Sequence, residues 1–254
     1  MAGSVGQERV VAAALRKQIP GHFLAMRQHQ SLLTQSVHLV ALAYGGKLTD
    51  ATRVQIKILA RLAAMSRIVH LSVERSYVIE ALALMAPAYE LAYNIGFIGQ
   101  DKSRAKSWER HQDTKVSYPH PNQRERSVRA TLELNGYSGK ALREAVAAEE
   151  RNYHGYCAAK HGNPMLLRNW GVQHRDGKLY LAQGPFLTEL TYRQAGLVLG
   201  LAARTMYRAV GGFVRPHLKS APAKDLKRFA AAAGRAQEGL RQANMRLHIP
   251  KTAA

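Results

Sequence analysis

The chain has 254 residues, 46% of them hydrophobic and 21% charged, an ordinary globular composition long enough to bury a core unaided. Lysine and arginine number 37 against 17 acidic residues, and the resulting net charge of +20 points to a polyanionic partner: RNA, DNA or an anionic membrane face. A single cysteine, Cys157, excludes an internal disulfide framework and a cysteine-built zinc site.

The first residues show no basic stretch followed by an apolar core, so no secretory signal is expected. The most apolar windows, 81–98 and 195–214, are interrupted by Glu90 and by Arg204 and Arg208. A spanning helix needs about 20 mostly apolar residues, so none is expected, and the chain reads as a cytoplasmic protein.

The pattern is helical almost throughout. Leu33, Val37, Ala41 and Tyr44 recur on one helix face, with Pro20 suited to the first turn and Gly45-Gly46 to the end. Thr49 or Asp50 caps the next helix, lined by Val54, Ile58, Leu62, Met65 and Val69. Ser72 to Ile98 is apolar nearly all round and reads as a buried central helix, which Pro87 should kink or split. A short polar helix and a loop follow over 100–123, and Asn135-Gly136 and Ser138-Gly139 mark a further break. A helix from about Lys140 to Lys160 stops near His161-Gly-Asn-Pro164. Asp176-Gly177 between two short apolar-alternating stretches predicts a β-hairpin. Helices resume over about 185–214, and after Pro216 and Pro222 an Ala-rich basic helix runs to about Leu247. The expected architecture is an all-α bundle over 50–215, with an N-terminal helical segment (1–49), a small hairpin insertion and a basic C-terminal helix (216–254).

Two helices carry cationic faces. No acidic residue lies between Asp50 and Glu74, and Arg53, Lys57, Arg61 and Arg67 share one side, opposite the apolar stripe. From Arg204 to Ala254 there are 11 basic and 2 acidic residues. There Leu226, Phe229, Ala233, Leu240 and Leu247 form one helix face, and Lys224, Lys227, Arg228, Arg235 and Arg246 the other. Such faces suit phosphates, an anionic membrane or an acidic partner, and equally a solvated helix surface. Few aromatics stand among the cations, which argues against a base-stacking platform.

Arg75-Ser-Tyr-Val-Ile-Glu80, Pro87-Ala-Tyr-Glu90-Leu-Ala-Tyr-Asn94, Tyr153-His-Gly-Tyr-Cys-Ala-Ala-Lys-His161-Gly-Asn-Pro164 and Gly184-Pro185 together resemble a bacterial family of unknown function with a HEPN-like helical bundle, over roughly 50–215. The resemblance implies a bundle of a type associated with metal-independent RNA cleavage in toxin or defence systems, its active site often shared across a homodimer. Sites of that type carry an arginine followed, several residues on, by a histidine. Arg16/His22, Arg104/His111, Arg168/His174 and Arg241/His248 have such spacing, which is about as many as random placement gives. Arg168 with His174 is nearest in form, although His174 falls in the expected hairpin rather than on a helix.

The charges in the apolar helices suggest a second cluster. Arg75, Glu80, Glu90 and Tyr153 are expected as a buried polar group, either an internal ion pair that fixes helix register or a pocket in which Tyr153 and His161 do acid–base work; the remaining alternative is that these charges are solvent-exposed. Cys157 shares a helix face with His154 and His161, but reads first as a buried small residue. The two histidines are too far apart along a helix to grip one ion, and no phosphate-binding glycine loop is present, so neither metal nor cofactor is expected. Two functions remain: an RNA-directed HEPN-like protein, or a non-catalytic helical module that binds nucleic acid or a protein through its basic helices.

Overall fold

The computed structural model describes residues 2–114, 123–162, 172–175, 178–181 and 187–248. Nine α-helices are found among them: α1 (Ala2–Gln18), α2 (Pro20–Ala43), α3 (Asp50–Glu74), α4 (Val78–Gly99), α5 (Lys102–Thr114), α6 (Arg124–Leu134), α7 (Gly139–Lys160), α8 (Glu189–Val214) and α9 (Ala223–His248). They pack into an all-α bundle. Val172–Arg175 (β1) and Lys178–Leu181 (β2) pair antiparallel, Val172 opposite Leu181. Residues 176–177 of the expected hairpin turn lie outside the described residues, as do Pro164, Gly184-Pro185 and the Tyr118-Pro-His-Pro121 loop.

Helix α4 is the axis. It packs against α3, α6, α7 and α8, which is why its sequence is apolar on every side. Ala81, Tyr89, Ala92, Ile95 and Ile98 have no exposed surface at all. Each large side chain fully removed from water contributes about 1.5–3 kcal/mol. Two of the expectations for this helix need correction. It begins at Val78, not Ser72, because α3 runs on to Glu74 and the chain turns at Ser76, whose φ of 66° is left-handed. And Pro87 does not split it: the helix passes through to Gly99, with neighbouring helices packed around the turn that lacks a proline N–H.

The other boundaries follow local chemistry. The Thr49 side chain accepts from Thr52 N at 3.2 Å and caps α3. Gly45 and Gly46, at φ 55° and 82°, take the left-handed conformations that end α2. Thr188 caps α8 by a reciprocal box with Thr191. At the crossing of α4, α6 and α8 the backbones nearly touch, and a Cβ on Gly96 would lie 2.4 Å from Thr131 Oγ1. Only a residue without a side chain fits there.

Contacts cross both divisions expected at 49/50 and 215/216. Helix α2 packs on α3 and α8, and α9 lies along α2 and α8. The α9 seam buries Phe229, Ala236, Leu240 and Ala243. Two histidines of α2 join it. His22 Nε2 lies 3.2 Å from Asn244 Oδ1. His29 Nδ1 donates to the Ala25 carbonyl at 2.7 Å, so its Nε2 accepts from Gln237 Nε2 at 2.9 Å. Burial lowers the proton affinity of both rings. Helix α4 and the stretch Glu189–Ser220 are long and apolar enough to cross a membrane by length and composition, but their apolar windows are 67% and 72% buried inside the bundle.

Candidate functional site

The expected polar cluster divides in two. Arg75 and Glu80 do not join it: both are exposed. Arg75 sits at the C-terminal cap of α3, where it meets Glu8 of α1 at 3.7 Å rather than Glu80 or Glu90. An apolar run of sequence on either side had suggested burial, but the turn at Ser76 carries Arg75 out to solvent. Glu90 and Tyr153 do meet. The Tyr153 hydroxyl donates to Glu90 at 2.5 Å, joining α7 to α4.

Around that bond lies a larger network that sequence reasoning missed. Arg124, at the start of α6, holds both oxygens of Glu150 at 3.3 and 2.9 Å and places its guanidinium 4.4 Å from the centre of the Tyr153 ring. Glu149, buried, faces Arg208 of α8 at 3.8 Å. Arg208 also donates to the Tyr137 hydroxyl at 2.8 Å. Tyr89 stacks between Tyr93, Tyr153 and Tyr156, at 4.5 to 6.0 Å between ring centres. The signal was present in the register. Leu142, Val146, Glu149, Tyr153 and Tyr156 follow helical spacing, so a carboxylate stands in the buried stripe of α7 and requires a cation opposite. Nothing in one dimension names Arg208 as that cation.

Burial, reinforced by the bond to Glu90, holds the Tyr153 phenol proton well above the usual tyrosine range. Burial does the same for Tyr89, Tyr93 and Tyr156, with the Glu149 carboxylate adding to it. His161 is exposed at the C-terminal cap of α7, eight residues and about 12 Å along the helix axis from Tyr153. Cys157 is half-buried on α7 beside Tyr153, whereas His154 is exposed. Arg168 lies outside the described residues, and His174 is placed only as a backbone position in β1, opposite Leu179.

The cationic faces stand where the spacing put them. Arg53, Lys57, Arg61 and Arg67 are all exposed on α3. Arg53 meets Asp50 at 3.4 Å, and Lys57 meets Glu109 of α5 at 3.2 Å. On α9, Lys224, Lys227, Arg228 and Arg235 are exposed opposite the seam. Helix α9 is therefore held on the bundle with its cations outward. Comparison of the chain with family models, with curated proteins and with solved structures finds no match in any of the three.

Proposed function

We propose that this chain is a cytoplasmic nucleic-acid-binding helical bundle that holds RNA phosphates on the outward cationic faces of α3 and α9. One observation carries the reading: the nine cations singled out on these two helices are all exposed, while the apolar stripe opposite them is buried on α3 and buried or half-buried on α9. In a chain of net charge +20, such faces raise the local concentration of a polyanion and contact its backbone without reading bases. RNA is preferred to DNA on the HEPN-like resemblance alone, and that family assignment is part of the proposal. Binding is placed ahead of cleavage because it needs only the exposed cations, whereas cleavage needs an arginine and a histidine converging on one phosphate.

The test is the affinity of the full chain for a mixed-sequence single-stranded RNA between about 50 and 200 mM salt, where each phosphate contact contributes about 0.7 to the logarithmic slope. Replacing Lys224, Lys227, Arg228 and Arg235 by glutamine should lower both affinity and slope. A flat salt response in the unaltered chain overturns the proposal. Cleavage of the RNA in EDTA, seen on a denaturing gel, would restore the ribonuclease reading ahead of simple binding.

A further inference from the structure

Where α1, α2 and α3 meet, the fold gathers charge that no stretch of sequence holds together. His70, near the end of α3, is half-buried with its ring against Phe23 of α2, 5.4 Å between centres. Three arginines act on it electrostatically: Arg16 of α1, ion-paired to Glu74 one turn on from His70; Arg27, one turn on from Phe23 in α2; and Arg67, one turn back on α3. All three arginines are exposed. The one carboxylate acting on the ring, Glu74, is ion-paired to Arg16. Among the described residues, neither Arg27 nor Arg67 has a carboxylate within ion-pair distance. Burial, and after it the three arginines, lower the proton affinity of His70 against the opposing pull of Glu74.

Like charges drawn from three helices to one place repel, and the potential they create is answered by an anion. The guanidinium fork matches the oxygens of phosphate. Beside these cations, Leu24 and Leu71 stay exposed, at 49% and 41%, spaced so that each shares a helix face with Arg27 or Arg67. They offer apolar surface to the sugar or base attached to a held phosphate.

We propose that Arg16, Arg27, Arg67 and His70 form a phosphate-binding site that seats one backbone phosphate of the bound RNA. The proposal rests on the nucleic-acid reading above and fixes where one phosphate lies. A phosphate against the imidazole favours its charged form, so His70 takes up a proton when RNA binds and becomes a donor to it.

The experiment follows the ring carbon-bound protons of His70 by NMR across pH 5 to 8 in the full chain. The probes are no ligand, a short mixed-sequence RNA at saturation, and vesicles containing phosphatidylglycerol. RNA should raise the His70 midpoint by about one pH unit. Arg27→Gln with Arg67→Gln should abolish that shift, with His22 and His29 as internal reporters that the fold is kept. Arg27→Lys with Arg67→Lys should restore part of it, since charge returns without the fork. The α9 glutamine variant should keep the shift at saturating RNA. RNA that binds with a salt-dependent affinity and leaves His70 unmoved overturns this site while the nucleic-acid reading stands. RNA that does not bind at all overturns both. A shift produced by the vesicles and not by RNA assigns the site to a lipid headgroup and also overturns the proposal.

Discussion

Arg208 and Arg67 lie in opposite circumstances. The Arg208 side chain is 11% exposed, with Glu149 at 3.8 Å and the Tyr137 hydroxyl at 2.8 Å. Arg67 is exposed, one helical turn from His70, with no carboxylate at ion-pair distance among the described residues. Inside the bundle a charge persists only with its partner, because desolvation costs several kcal/mol per ion. At the surface water supports the charge, and cations can stand together without partners, ready for an external anion. The interior arginines therefore fix how α4, α6, α7 and α8 sit together. On the proposed reading, surface arginines such as Arg27 and Arg67 are the ones available to a ligand.

The comparison breaks most visibly through Glu149→Ala. Removing the carboxylate strands Arg208 in the interior and should cost about 3–5 kcal/mol in urea unfolding. Replacing Glu149 and Arg208 together by leucine should recover much of that loss. A single variant with an unchanged urea midpoint would show that water, not Glu149, supports the arginine. Arg67→Gln should instead leave unfolding unchanged within about 0.5 kcal/mol and act on RNA affinity.

A smaller effect comes from the α2–α9 seam. His22 and His29 have folded proton affinities lowered by burial, so below about pH 6.5 the unfolded chain binds more protons than the folded one. Their stabilising contribution is thus full above that pH. It is lost as pH falls toward their folded values, by at most about 1.4 kcal/mol per pH unit for each ring that stays neutral. Urea unfolding at stepped pH should show this decline, and His22→Gln with His29→Gln should flatten it. An equally steep decline in that variant would place the titration elsewhere. Smallest of all is Arg75→Ala. With 57% of its side chain exposed and Glu8 opposite at 3.7 Å, its loss should change stability by no more than about 0.5 kcal/mol, read from the melting transition.

Much of the helix order was legible because its signals are local. Helix α7 spans Gly139–Lys160 where spacing and the Ser138-Gly139 break predicted it, and Gly162 takes the left-handed turn at its end. The start of α4 was misread for an equally local reason. A serine, not a glycine, adopts the left-handed conformation at position 76, and the apolar pattern runs across it without interruption. Glu90 and Tyr153 were picked out because polar groups in apolar helices must find partners. Arg124, Glu149, Glu150 and Arg208 were missed because their pairings join different helices, well beyond the few turns over which spacing can be read.

By itself the sequence determined that the chain is a helical bundle with two cationic faces, since helix formation and the segregation of apolar from charged sides depend on residues within a few turns. Tertiary structure decided which charges meet. It carried Arg75 out to solvent, closed Arg208 on Glu149, laid α9 along α2, and brought Arg16 and Arg27 to His70. Those outcomes follow from how helices cross, which depends on side chains packing between elements far apart in the chain.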